Sequence, residues 1–130
     1  MSYFSKEELA CKHCLKLGKS VDGSYYFDED FLELLNSIRS DCGFALPISS
    51  GYRCTDHPIN VQKYDDGKPL GAHAFGLAVD VVVDRKKAHR LLQVALEHGV
   101  PRIGVNQKGA DRFIHLDCDI SLPNPTIWSY

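Results

Sequence analysis

The chain has 130 residues, a formal charge of -2 and 44% hydrophobic residues, enough to bury about two thirds of its unfolded surface without covalent staples. Lys and Arg (15) do not outnumber Asp and Glu (17), which argues against a nucleic-acid partner, and no apolar run approaches the roughly 18 residues of a membrane span. Met1 to Glu8 lacks the basic start and apolar centre of a secretion signal, and five cysteines are an odd number, so the expectation is one cytoplasmically made domain over residues 1–130, with free or metal-bound thiols.

In chain order, Phe4 to Leu9 reads as a short helix start, with Ser5 as cap, Glu8 returning the capping-box bond and Phe4 stapled onto Leu9. Cys11-Lys12-His13-Cys14 follows. Its thiols are close enough to share a metal or a disulfide, but no second Cys-x-x-Cys completes a structural zinc site. Ordinary thiols, a Cys/His metal site and a redox pair all remain open. Lys16 to Tyr26 is polar and glycine-bearing and reads as a loop.

From Asp28, the positions Phe31, Leu34, Leu35 and Ile38 repeat at helical spacing, with acidic residues in the first turn and Gly43 beyond the end. This predicts a helix whose apolar stripe faces the core. Leu46 to Ser50 predicts a short strand running into Gly51-Tyr52-Arg53. Cys54 to Leu70 holds few apolar residues and several breakers, Pro58, Gly67 and Pro69 among them, and reads as a long irregular loop, of the kind that usually serves a site.

Gly76 and the cluster Val79, Val81, Val82 and Val83 predict a strand from Leu77 to Val83. Asp84 can cap a following helix with Ala88, Leu91, Leu92, Ala95 and Leu96 on one face and Gly99 at its end. His89 and His98 read as surface residues. Pro101 to Val105 suggests another strand, and Arg112 to Cys118 a last one, with Phe113, His115 and Asp117 on one face and Ile114, Leu116 and Cys118 on the other. The tail, with Pro123, Pro125 and Trp128, reads as irregular and packed down by Trp128.

One residue does not suit its surroundings. Asp80 sits within Leu77-Ala78-Val79-Asp80-Val81-Val82-Val83, where an unpaired carboxylate would cost several kcal/mol. His73 precedes it by seven residues and His115 follows by thirty-five, both at positions compatible with a shared site. Two histidines and one aspartate are a zinc set in outline, leaving one position open for water and suiting amide hydrolysis. From spacing alone, two satisfied histidines and a hydrogen-bonded Asp fit equally well. Arg53 could stabilise an oxyanion or clamp a substrate carboxylate, or be a surface residue. Asp117 is a candidate general base or a partner orienting a ligand histidine, and Asp111 is a second acidic candidate.

Ser50-Gly51-Tyr52-Arg53, Asn60, His73-x-x-Gly76-x-Ala78-x-Asp80, Arg102-Ile103-Gly104-Val105 and Phe113-Ile114-His115-Leu116-Asp117 stand in the order found in the zinc D-alanyl-D-alanine peptidase family. The chain resembles its short branch in phages and bacteria, which contains carboxypeptidases and murein endopeptidases. The resemblance spans Phe4 to about Trp128. It implies a small α+β fold of the hedgehog/D-Ala-D-Ala peptidase type, with an antiparallel sheet and flanking helices. It further implies zinc on His73, Asp80 and His115, Arg53 and Asn60 at the substrate, and cleavage of peptidoglycan stem peptides by a monomer that reaches the wall through lysis or a holin. Two departures stand out: Gly71 where the family often has Ser, and Arg112 where many relatives carry an acidic base, which raises the weight on Asp117. Arg112 also feeds an alternative, a catalytically silent zinc domain that recognises a peptide or protein. A third reading centres on Cys11 and Cys14 as a redox or structural-zinc module.

Overall fold

The computed structural model describes residues 2–16, 27–54, 57–67 and 71–130; the loop expected over Lys16 to Tyr26 lies almost wholly outside them. A short helix α1 (Lys6–Leu9) is followed by α2 (Lys12–Lys16), and α3 (Glu29–Cys42) is the first long element. Ser5 caps α1 as expected, its Oγ accepting from the Glu8 N–H at 3.0 Å. The Glu8 carboxylate instead accepts from the backbone N–H of Ile48, 3.2 Å away and far along the chain. That N–H opens β1 (Ile48–Ser50), so the glutamate anchors a strand where a capping-box bond was expected. In α3, Asp28 caps the Phe31 N–H at 2.9 Å, Gly43 closes the helix at φ 76°, and Phe31, Leu35 and Ile38 are buried.

After β1, the stretch expected as a loop contains α4 (Pro58–Asp65). Pro58 stands at the first helical position, where its missing N–H costs nothing, and His57 Nδ1 caps the Ile59 N–H at 3.2 Å. Asn60 is the buried residue of this helix, so there is no apolar stripe to reveal it. Residues 55–56 and 68–70 of that stretch lie outside the described residues. A single 3-10 turn, Ala72–Phe75, carries His73 into β2 (Ala78–Val81).

Helix α5 (Arg85–Glu97) buries Ala88, Leu91, Val94 and Ala95, whereas Leu96, expected on that face, is 57% exposed. Asp84 precedes α5 without a side-chain cap bond and pairs with Arg85 at 2.8 Å. Strands β3 (Arg102–Asn106), β4 (Phe113–Asp117) and β5 (Thr126–Ser129) complete the fold. The tail is thus a strand: Pro123 and Pro125 precede it, and the β-branched and aromatic residues Thr126, Ile127 and Trp128 form it.

The sheet order is β1-β2-β4-β3-β5. Three pairings are antiparallel, but β5 runs parallel to β3, so the sheet is mixed where an antiparallel one was expected. Alternation gives the sheet two faces. Val79, Val81, Ile103, Ile114 and Leu116 point into the core with Phe31, Leu35, Ile38 and Leu91, each worth about 1.5–3 kcal/mol when removed from water. On the other face, the register Ser50↔Asp80↔His115↔Gly104↔Trp128 runs as one row across all five strands. Among the described residues, no helix is long and apolar enough to cross a membrane.

Candidate metal centre

The row across the sheet explains why a carboxylate tolerates its valine-rich strand. Asp80 and His115 are direct cross-strand partners, so their side chains leave the sheet together on the face away from the core. His73 reaches the same point from the 3-10 turn, which Gly76 ends at φ 68° before β2 begins. Asp80 Oδ1 lies 2.9 Å from His115 Nδ1 and 3.5 Å from His73 Nε2, and the two imidazole centroids are 5.1 Å apart.

The far nitrogen of each ring is held by an acceptor. His73 Nδ1 sits 2.8 Å from the Gly51 carbonyl oxygen, so it carries the proton and leaves Nε2 with a lone pair towards Asp80. His115 Nε2 sits 2.6 Å from Asp117 Oδ2, which directs Nδ1 to the same place. One donor atom each from His73, Asp80 and His115 lies within 4.8 Å of the other two. Ligands about 2.0–2.1 Å from zinc stand about 3.3 Å apart around a tetrahedron, so the set fits a zinc ion with little adjustment.

The electrostatics agree with the geometry. Burial raises the Asp80 pKa, but bonds from His115 and His73 outweigh it and hold the carboxylate well below its ordinary range. Burial pushes His73 down against the pull of Asp80, keeping that ring neutral. Burial also lowers His115, yet Asp117 and Asp80 raise it more, and its net shift is upward.

Arg53 leaves the end of β1 and joins the cluster. Its Nε donates to Ser50 Oγ at 3.1 Å, a guanidinium nitrogen lies 3.6 Å from Asp80 Oδ2, and its backbone N–H bonds the His73 carbonyl at 3.0 Å. Burial lowers its pKa, with Asp80 opposing. Asn60, expected at the substrate, stands on α4 beside the segment that carries Arg53. It is only 3% exposed, and its Nδ2 donates to the carbonyls of Arg53 and Cys54 at 3.1 and 2.8 Å, bracketing the segment that carries the arginine.

Asp117 is 1% exposed and both its oxygens are engaged. Oδ2 meets His115, while Oδ1 accepts from Arg102 Nε at 2.9 Å and from the Asp119 N–H at 3.2 Å. Asp111 is exposed ahead of β4, its carbonyl accepting from Asn106 Nδ2, and Arg112 turns to the Gly109 carbonyl. Neither is among the residues lining the cleft.

That cleft, about 310 Å³, is lined beyond the cluster by Lys63, Arg102, Phe113, Leu122, Trp128 and Tyr130. Trp128 packs on the His115 ring at 5.3 Å and under the Arg102 guanidinium at 5.0 Å. It fits there because Gly104 lies beneath it: a Cβ on Gly104 would stand 2.7 Å from the indole. The sequence treats Trp128 as tail packing; the alternation of Arg102 and Gly104 on the face of β3 was the available sign that something large lies across that strand. A second polar cluster, Cys11, Cys14 and Cys54, gathers where the residue after Arg53 meets the start of the chain, joined from two segments that spacing could not relate.

Together these features define an α+β protein with a potential divalent-metal centre on one face of a mixed sheet. The family model for peptidase M15 matches residues 2–117, and the chain belongs to that family of zinc-dependent, D-Ala-D-Ala carboxypeptidase-like metallopeptidases. No curated protein and no solved structure matches it significantly. The family match ends with β4, so Trp128 and Tyr130 lie beyond it.

Proposed function

We propose that the chain is a zinc peptidase of the hedgehog/D-Ala-D-Ala peptidase fold that cleaves amide bonds in peptidoglycan stem peptides, as a carboxypeptidase or murein endopeptidase. His73 Nε2, Asp80 and His115 Nδ1 hold the metal. The observation that carries this reading is the pair of acceptors, Gly51 and Asp117, that turn one lone pair of each histidine towards Asp80. Zinc, when bound, supplies Lewis acidity that polarises the scissile carbonyl and activates water.

The protein's own residues do the rest. Arg53, beside Asp80, offers donors to a carbonyl oxygen that gains negative charge or to a substrate carboxylate. Lys63 and Arg102 add positive charge along the cleft, which suits an anionic peptide. Trp128 and Phe113 give it an apolar wall. Asp117 acts through His115, as a positioning residue that fixes its tautomer, and Asn60 acts through Arg53. The chain works as a single monomeric domain, with the wall reached after lysis or through a holin.

One observation favours the second reading, a silent zinc domain that binds a peptide or protein: among the described residues lining the cleft, the carboxylates are Asp80 and the fully engaged Asp117. Incubating the zinc-loaded protein with purified peptidoglycan and identifying released fragments by mass spectrometry separates the two. Cleavage above that of a folded His73→Ala variant supports the enzyme and names the bond; equal release for the two proteins favours the binding domain.

A further inference from the structure

Cys11 and Cys14 enter from the start of the chain, and Cys54 follows Arg53 at the exit from β1. The Sγ atoms of Cys11 and Cys54 are 3.5 Å apart, and one sulfur from each of the three residues lies within 4.8 Å of the others. Thiolates about 2.3 Å from a tetrahedral zinc stand about 3.8 Å apart, so a cluster of this size can close around one ion. A nitrogen is also at hand: His13 Nδ1 lies 3.8 Å from Cys54 Sγ. Cys11 is fully buried, yet its sulfur faces another sulfur and the Cys54 backbone N–H, which donates to it at 3.4 Å. Those are surroundings for a thiolate rather than for a packed apolar thiol.

We infer that Cys11, Cys14, Cys54 and His13 form a second, structural zinc site. Three sulfurs and an imidazole make a closed set of four protein ligands with no position left for water, which is the composition of a structural centre and selects zinc over magnesium or calcium. Each cysteine loses its proton on binding, and the ion takes up the three thiolate charges. A Cys11–Cys54 disulfide would use two sulfurs and leave Cys14 and His13 without a role. The site clamps the N-terminal segment to the strand exit across a separation of 43 residues.

The place of the clamp gives it a purpose. Gly51 lies against Leu9, where a Cβ would stand 2.7 Å from the Leu9 carbonyl oxygen, and the Tyr52 N–H bonds that same oxygen at 3.0 Å. Between this contact and Cys54 stand the Gly51 carbonyl that orients His73 and the backbone of Arg53. The second ion therefore fixes the segment on which the cleft depends, a consequence that rests on the peptidase reading although the site itself does not.

Metal analysis of the protein purified under reducing, anaerobic conditions tests the site. We expect about two zinc ions per chain, one for each cluster. Replacing zinc by cobalt gives a thiolate-to-cobalt charge-transfer band in the near ultraviolet. Cys54→Ser removes that band and about one zinc, whereas Asp80→Asn removes the other zinc and leaves the band. If Asp80→Asn changes neither, the peptidase centre fails and the thiolate site stands. His13→Ala weakens cobalt binding and His57→Ala does not; the reverse would move the fourth ligand and overturn the assignment of His13. If Cys54→Ser does not fold, the cobalt spectrum of the wild type decides alone. Absence of the band, its survival in folded Cys54→Ser, or a Cys11–Cys54 disulfide in the purified protein overturns the proposal.

Discussion

Replacing Asp117 by Asn tests whether this carboxylate positions His115 or acts as a base. The amide keeps one acceptor and gains two protons. Its oxygen must stay with Arg102 Nε and the Asp119 N–H, two donors at 2.9 and 3.2 Å, because the reverse orientation sets donors against donors. The NH₂ group then faces His115 Nε2, which now stands 2.6 Å from the carboxylate. That nitrogen must accept, so the imidazole proton moves to Nδ1, the atom directed at Asp80, and the metal loses a lone pair. Losing such an orienting partner costs about 10–100-fold in metal affinity. Losing the charge opposite Arg102 costs a further 1.5–3 kcal/mol, roughly, of folding stability. Zinc affinity from chelator competition, with thermal melts of the metal-free protein, measures both. Affinity within about twofold of wild type would refute the tautomer argument, since a tenfold change is only 1.4 kcal/mol. Intact affinity with lost turnover would make Asp117 the base.

Three other substitutions probe the surroundings. Gly104→Ala drives a methyl group into the Trp128 indole, so the chain's single tryptophan should leave His115 and its fluorescence shift to the red, with about 1–3 kcal/mol lost; unchanged emission would contradict the close approach. Asn60→Ala strips a donor from the Arg53 and Cys54 carbonyls and should lower stability in urea by about 1–3 kcal/mol. A raised KM at unchanged stability would instead make Asn60 a substrate ligand. Leu116→Ala, on the core face behind the metal centre, should cost about 2–5 kcal/mol in a melt while leaving zinc stoichiometry intact, and loss of zinc from the folded variant would contradict the separation of the two faces.

The parts of this structure that the sequence discloses are those where local chemistry and burial conflict or agree strongly. Helix α3 has its cap, its stripe and its closing glycine in one run. Asp80 stands out because a charge interrupts valines, and His73 and His115 are drawn together with it. What stays hidden depends on distant chain. Helix α4 shows no stripe because Asn60 is its buried side chain. Strand β5 has Ile127 and most of its other residues exposed, and its parallel pairing with β3 leaves no alternation to read. The Glu8 carboxylate finds an N–H forty residues away, and Cys54 meets Cys11 only once β1 is laid beside α1.

The row from Ser50 through Asp80, His115 and Gly104 to Trp128 takes one residue from each strand. Because side chains alternate, a slip of one residue between β2 and β4 would send either Asp80 or His115 into the core and bring a valine, isoleucine or leucine to the cleft. An ion that demands both side chains on one face is therefore a selector among pairings. Zinc would bind only chains whose central strands are aligned, and would draw the folding equilibrium towards that alignment. A metal bound on this row would thus serve as a proofreader of the sheet that carries it.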